Sequence, residues 1–230
     1  MSTDAILREQ LEYYRARATE YDEWWLRLGR YDRGEENNAQ WFAEAAEVST
    51  ALAAAGLRGR VLELACGTGI WTEQLERTAE SITAVDGSSE MLAVNEARLH
   101  SPRVRYVWAD LFQWGTEEKY DAIFFGFWLS HVPPERFEEF WEIVHASLAP
   151  EGRVFFVDSR REPTSTAQDH QLPAVGDPLQ RRRLNDGREF QIYKVFYSAD
   201  SLVRRLGGMG WTFEICETAH YFMHGSGRRK

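Results

Sequence analysis

Several features are scarce in this sequence of 230 residues, and each scarcity excludes a class of protein. The chain has two cysteines, Cys66 and Cys216, which are too few for a disulfide framework or a four-ligand metal site. No apolar run reaches the roughly 18 to 20 residues that a membrane-spanning helix needs. The N-terminus lacks the basic start and apolar stretch of a signal peptide. We therefore expect a cytoplasmic protein that does not contact a membrane.

Positive charge is also in short supply. Aspartate and glutamate outnumber lysine and arginine by 36 to 27, and the formal net charge is −9. A nucleic-acid-binding protein usually carries a basic stripe, because its cations must replace the counterions around phosphates. We therefore expect a small-molecule partner and no nucleic acid.

Short apolar segments alternate with helical patterns through the middle of the chain. Helices are predicted over residues 4–18 and Glu35–Ala55, followed by a helix that Ser88 caps and another that begins at Pro133-Pro134. The predicted strands are Arg60–Ala65, Ile82–Val85, Val104–Trp108, Tyr120–Phe125 and Arg153–Val157. Strands of this kind, buried on both faces and alternating with helices, are typical of a doubly wound parallel sheet.

The pattern is lost after the fifth strand. Residues 159–188 contain Pro163, Pro173 and Pro178 and show no periodicity, so they predict an irregular insertion. A strand over Glu189–Tyr197, a helix over Ser198–Leu206 and strand-like sequence over Trp211–Met223 follow.

The residues that follow the strands indicate a nucleoside-containing cofactor, since ligands of such sheets bind at the carboxyl ends of the strands. Gly67 and Gly69 allow a tight turn that a ligand can approach closely. Asp86 ends the second strand and can accept two hydrogen bonds from a ribose diol. The dinucleotide fingerprint needs a further glycine where this chain has Thr72. Glu63 suits a cofactor with a cationic amino-acid tail.

These motifs resemble those of the class I S-adenosylmethionine (SAM)-dependent methyltransferases. The similar segments are Val61–Gly69, Ala84–Ser88, Leu148–Arg153 and, in the lid helices of small-molecule members, Tyr13–Asp22. The resemblance implies a Rossmann-like α/β fold with a doubly wound, mostly parallel seven-stranded sheet. It also implies N-terminal lid helices at 1–57, a SAM-binding domain at 58–230 and a substrate-side insertion at 159–188. The cofactor would be SAM and the product S-adenosylhomocysteine (SAH).

The resemblance further implies a role for each matching position. The methionine part of SAM would contact Glu63, Ala65, Gly67 and Gly69, and the ribose and adenosine would contact Asp86, Gly87, Ser88 and Met91. The adenine would contact Asp110 and Leu111, and the transferred methyl would lie beside Gly126 and Phe127. Among the N-terminal aromatic residues, Tyr14 and Tyr21 are predicted to face the sulfonium through cation–π contacts.

The sequence identifies the acceptor-binding residues less specifically than the cofactor-binding residues. We predict that Trp25, Trp128, Arg161 and Arg182 contact the acceptor. Six arginines within 159–188 either bind a carboxylate or phosphate of the acceptor or form a solvated loop face, and both interpretations stay open. His131 either removes a proton from a hydroxyl or amine acceptor, or orders its loop, or contacts SAM.

The segment after the fourth strand, Phe125–Trp128, narrows the reaction class. It has no acidic residue for a divalent cation and no Asn/Asp-Pro-Pro-aromatic motif of nucleic-acid amino-methyltransferases, so we expect no metal. The sequence predicts in-line methyl transfer to a small organic acceptor, with oxygen favoured over nitrogen and carbon, by a monomer or homodimer. A nicotinamide-dependent oxidoreductase and a non-catalytic SAM-binding protein remain as alternatives.

Overall fold

A computed structural model describes residues 2–230, which form seven α-helices and nine β-strands. The helices are α1 (Thr3–Arg17), α2 (Tyr21–Trp25), α3 (Glu35–Ala55), α4 (Thr72–Leu75), α5 (Ser89–Leu99), α6 (Phe137–Ser147) and α7 (Ala199–Gly208). The strands are β1 (Gly59–Leu64), β2 (Ala79–Asp86), β3 (Val104–Trp108), β4 (Tyr120–Gly126), β5 (Leu148–Ser159), β6 (Leu179–Arg183), β7 (Glu189–Tyr193), β8 (Trp211–Glu217) and β9 (Phe222–Arg229).

Seven of the strands form one sheet in the order β3-β2-β1-β4-β5-β9-β8. The pairs among β1 to β5 are parallel, and β9 runs antiparallel to both of its neighbours. The predicted mostly parallel, doubly wound sheet is therefore confirmed. The strand order reverses at β1, between β2 and β4, and a crevice for a ligand forms outside the carboxyl ends of strands at such a point.

Two apolar layers cover the faces of this sheet. Successive strand residues point to opposite faces: Val61 of β1 packs in the layer that includes Trp41 of α3, and Leu62 packs in the layer that includes Phe140 and Trp141 of α6. All five side chains are almost completely buried. The two layers hold β1 and β4 rigidly in the centre, and residues at the ends of these strands are therefore well positioned.

The sequence located most helices to within two residues. Helix α5 begins as predicted after Ser88, whose side-chain Oγ accepts a hydrogen bond from the Met91 amide at 3.1 Å. Helix α3 ends at Gly56, which has a φ of +61° that favours glycine. The predicted domain boundaries, 1–57 and 58–230, stay a prediction, and Met1 lies outside the described residues.

The insertion differs from the prediction. The end of this stretch forms β6, which pairs with β7 just after it in an antiparallel hairpin, so residues 159–188 are not irregular throughout. The turn contains Asp186 and Gly187, the latter with a φ of +90°, and it closes where the Leu184 amide donates to the Arg188 carbonyl at 2.9 Å. Asp-Gly is a strong hairpin signal that the prolines of the segment obscured.

The hairpin packs against the N-terminal helices instead of joining the main sheet. The Tyr193 amide donates to Gln10 Oε1 of α1 at 3.0 Å, and the Arg27 guanidinium donates to the Thr164 carbonyl at 2.6 Å. Leu11 of α1 lies over Gly87, where a Cβ atom would come within 3.1 Å of it. We call residues 3–33 and 160–194 the lid, because together they cover the carboxyl ends of the central strands.

The packing predicts different costs for two phenylalanines on helices. Phe140 is completely buried, and we expect Phe140→Ala to lower the free energy of unfolding by about 3–5 kcal/mol through a cavity. Phe42 of α3 is 45% exposed, and Phe42→Ala should change this free energy by no more than about 0.5 kcal/mol. Urea unfolding measures both, and equal losses would contradict the assignment of the core.

Candidate active site

Two adjoining cavities lie between the lid and the carboxyl ends of the strands. The large chamber has a volume of about 540 Å³, within the range of small-molecule sites. The small chamber has a volume of about 30 Å³, and most of the residues that line it belong to the lid. Tyr14, Tyr21, Phe127 and His131 line both chambers and therefore form the boundary between them.

Most of the residues predicted to bind the cofactor line the large chamber. The positions after β1, β2, β3 and β4 come together there, as the parallel topology requires. The predicted cofactor residues in its wall are Tyr14, Tyr21, Ala65, Gly67, Asp86, Gly87, Met91, Asp110, Leu111, Gly126 and Phe127, and the predicted acceptor residue Trp128 joins them.

Asp86 is held by two backbone amides. Gly67 N–H donates to its Oδ2 atom and Ser88 N–H donates to its Oδ1 atom, each at 2.9 Å. Burial raises the pKa of Asp86 to about 6, so the carboxylate is ionised at neutral pH. A carboxylate has about four lone-pair sites, so this group can still accept hydrogen bonds from a diol in the chamber.

The backbone adopts unusual conformations at the ends of β1 and β4. Ala65 and Phe127 have φ values of +55°, a left-handed conformation that residues other than glycine rarely adopt. Gly67 has a φ of +53°, and a Cβ atom built there would meet nothing within 4 Å. These conformations store strain where both strands face the chamber, which is common at functional sites.

Three predicted cofactor residues lie behind the chamber wall. Glu63 is 1% exposed, and burial raises its pKa to about 8. A Cβ atom at Gly69 would lie 2.6 Å from Asn95 Oδ1, so this glycine serves helix packing. Ser88 is completely buried and caps α5. These positions shape the turns, and direct contact of Glu63, Gly69 or Ser88 with SAM stays a prediction.

His131 forms a hydrogen-bonded pair with Tyr14. Its Nδ1 atom lies 2.6 Å from the Tyr193 carbonyl oxygen, which can only accept, so Nδ1 carries the proton. The Tyr14 hydroxyl then donates to Nε2 at 2.8 Å. Burial, together with nearby Lys194, lowers the pKa of His131 well below its usual value, so the ring is neutral.

The small chamber is lined by three cations: Arg17, Arg182 and Lys194. Lys194 is 4% exposed, donates to Ser130 Oγ at 2.8 Å, and lies 3.6 Å from Asp158 Oδ1. Burial lowers the pKa of Lys194 to about 8. Within residues 2–230, no carboxylate lies within 4 Å of the Arg17 or Arg182 guanidinium, and the Nε atom of each is buried without a partner.

Sequence reasoning identified only part of this cationic set. Arg182 was predicted, but Arg161 instead donates to the Pro173 carbonyl at 2.7 Å and Trp25 packs among aromatic core residues, so neither lines a chamber. Arg17 and Lys194 were missed because the fold brings them together from distant segments. A lysine within the apolar strand predicted at Glu189–Tyr197 was the one available signal.

The described part of the chain shows neither a grouped set of metal ligands nor a helix suited to a membrane. No set of three or more His, Cys, Asp or Glu side chains among residues 2–230 is grouped to hold a metal ion. Over the same residues, none of the helices combines the length and apolarity required to cross a bilayer.

Comparison with known proteins identifies the family. Residues 61–152 match the model of a methyltransferase domain. A solved complex of DhpI with SAM and HEP is 39% identical, with a TM-score of 0.81, and the match covers 99% of this chain and 100% of DhpI. DhpI has also been solved with SAH, at 38% identity and a TM-score of 0.80.

Enzymes of known reaction are similar over shorter lengths. The ubiquinone biosynthesis O-methyltransferase of Xanthomonas euvesicatoria pv. vesicatoria is 31% identical over 176 residues, 73% of this chain and 67% of that enzyme. The malonyl-[acyl-carrier protein] O-methyltransferase of Bacillus cereus is 41% identical over 66 residues, and this match spans 28% of the chain and only 24% of that enzyme's length.

The chain therefore belongs to the class I SAM-dependent methyltransferases. The predicted cofactor and enzyme class are confirmed, and the nicotinamide-dependent alternative is not supported. The reaction class is therefore methyl transfer from SAM.

The raised pKa of Asp86 predicts pH-dependent cofactor binding. Protonation below about pH 6 removes the charge that attracts ribose hydroxyls, so SAH affinity should fall by up to about tenfold per pH unit as the pH decreases from 6 to 5. Calorimetry between about pH 5 and pH 7 measures this. Asp86→Asn should bind more weakly and without this slope. Equal slopes for both proteins would contradict the role of Asp86.

Proposed function

We propose that this methyltransferase transfers the methyl group of SAM to an oxygen atom of a small acceptor that carries a carboxylate or a phosphate. The observation that supports this proposal is the set of three buried cations in the small chamber, which outnumber their carboxylate partners. The chamber adjoins the large one at the boundary formed by Tyr14, Tyr21, Phe127 and His131.

The large chamber fits SAM in size and in the chemistry of its wall. Asp86 would hold the ribose, Asp110 and Leu111 the adenine, and the Ala65–Gly67 turn the methionine part. When bound, SAM supplies an electrophilic methyl group on a sulfonium. Tyr14 and Tyr21 lie at the chamber boundary and present aromatic surface on which a cation is stabilised.

The charge of the small chamber selects an anion. Burying a charged group without a partner is costly, and Arg17 and Arg182 lie under the lid with no carboxylate against them. Lys194 has a carboxylate partner in Asp158, at 3.6 Å. An anionic group between these cations would accept charge-assisted hydrogen bonds and offset the excess of positive charge.

The size of the chamber favours a small acceptor. Its volume is about 30 Å³, and Trp24, Leu172 and Phe196 close its apolar side. A cavity needs about 10–15 Å³ of such space to hold one water, so a chamber of this size admits a group of only a few atoms.

We assign His131 a positioning role instead of that of a general base. Its Nε2 lone pair already accepts from Tyr14, and its lowered pKa makes it a poor proton acceptor at neutral pH. An oxygen of a carboxylate or phosphate is already ionised and needs no base. The pair would instead hold Tyr14 at the boundary, so that donor and acceptor are kept in line.

Two relatives support parts of this proposal. DhpI was solved in one complex with SAM and a further molecule, HEP, so a similar chain binds a second ligand together with the cofactor. The ubiquinone biosynthesis enzyme is an O-methyltransferase, which supports oxygen as the methylated atom.

The anion site can be tested with inorganic phosphate and acetate as probes, in the presence of saturating SAH. For whichever probe binds the wild-type protein, Arg182→Ala should lower the affinity by about ten- to a hundredfold, because a hydrogen bond to a charged group is lost. Calorimetry measures the affinity. Arg181 is the matched control: it lies on the same strand with a side chain 79% exposed, and Arg181→Ala should leave binding unchanged.

Three outcomes contradict the anionic acceptor. One is that neither probe binds to the SAH complex. The second is that both arginine variants lose affinity equally, which would indicate general electrostatic attraction. The third is that the probe competes with SAH, which would place the anion in the large chamber.

The role of His131 predicts modest kinetic effects. We expect His131→Ala and Tyr14→Phe each to lower kcat by about tenfold or less, and the double variant to lower it little further, since the two side chains act as one unit. At saturating SAM, the value of kcat should not change between about pH 6 and pH 7, because burial keeps His131 neutral and Lys194, with a pKa of about 8, stays protonated. Removal of a general base typically costs about 10²–10⁴-fold. A loss of that size, together with a pH-dependent kcat, would indicate that His131 is a general base.

A further inference from the structure

Asp22 lies outside the walls of both chambers and joins three parts of the molecule. It follows Tyr21 in helix α2, and its Oδ1 atom accepts a hydrogen bond from the Thr68 hydroxyl at 2.6 Å. Its other carboxylate oxygen forms an ion pair with Arg98 of α5. One side chain thus connects the lid, the turn after β1 and a helix of the main domain.

Most other side-chain hydrogen bonds of α2 and its flanking turns stay within the lid. Trp24 donates to the Ser165 carbonyl at 2.8 Å, Arg27 donates to Thr164, and Glu23 accepts from Asn185. These bonds hold the N-terminal part of the lid to the insertion. They do not connect the lid to the turn after β1, whereas the bond from Thr68 does.

The position of the Thr68 side chain depends on residues that are predicted to bind the cofactor. Its side chain is 2% exposed and does not line the large chamber. The preceding residue, Gly67, donates its amide to Asp86, the carboxylate assigned to the ribose. A ligand that fixes Asp86 and Gly67 therefore fixes the turn that carries the Thr68 hydroxyl.

At the other end of this connection is Tyr21, which lines both chambers. From this geometry we propose that Asp22 is a positioning residue: through Thr68 it makes the placement of Tyr21, and thus closure of the acceptor chamber, depend on bound SAM. This inference rests on the proposed function for the acceptor's position beside Tyr21.

Hydrogen exchange measured by mass spectrometry tests the connection with SAH as the only ligand. In the wild-type protein, saturating SAH should slow exchange across residues 20–31. In Thr68→Val, SAH should still bind, more weakly by about two- to tenfold, but saturating SAH should no longer slow exchange there. Thr68→Ser retains the hydroxyl and should restore the protection. Thr50→Val, on the surface of α3, is the control and should match the wild type.

Two results would overturn the proposal. One is wild-type exchange across residues 20–31 that does not respond to SAH. The other is full SAH-dependent protection in Thr68→Val. Because no acceptor is present, failure of the anionic-acceptor proposal would leave this readout unaffected, and the two failures can be told apart.

Discussion

The position of one carboxylate, Asp86, governs the geometry of the site. Its two oxygens accept from the amides of Gly67 and Ser88, and these bonds join the turn after β1 to the start of α5. Such an arrangement is possible because β1 and β2 are parallel neighbours, so their carboxyl ends meet at one edge of the sheet. The same carboxylate lines the large chamber, and we propose that it binds the ribose of SAM.

A second constraint acts in the small chamber, which Tyr14, Tyr21, Phe127 and His131 separate from the large one. The protein as a whole is acidic, yet Arg17, Arg182 and Lys194 converge under the lid with one carboxylate partner between them. Arg17 donates to the Tyr31 hydroxyl and Arg182 to the Thr166 hydroxyl, but these neutral partners leave their charges uncompensated, and we propose that the acceptor supplies the missing negative charge. In our proposal the strand ends supply most of the cofactor contacts, and the lid supplies the cations that bind the acceptor.

The sequence predicts these two sites with unequal success, for a physical reason. Predicted cofactor residues such as Gly67, Asp86 and Asp110 lie at or just after strand ends, and parallel topology places these strand ends together, so chain position alone brings them to one cavity. Arg17 and Lys194 come from a helix end and a hairpin end, and only their tertiary packing makes them neighbours. Glu63 is the opposite case: its position in the motif predicts contact with SAM, but its side chain is buried behind the wall of the large chamber.

We propose an anionic acceptor, and turnover of SAM with a panel of small molecules is the decisive measurement. The panel pairs each carboxylated or phosphorylated compound with a neutral analogue of similar size, and mass spectrometry detects the methylated products. We expect methylated products from the anionic members and none from their neutral analogues. Methylation of the neutral alcohols or amines alone would contradict it.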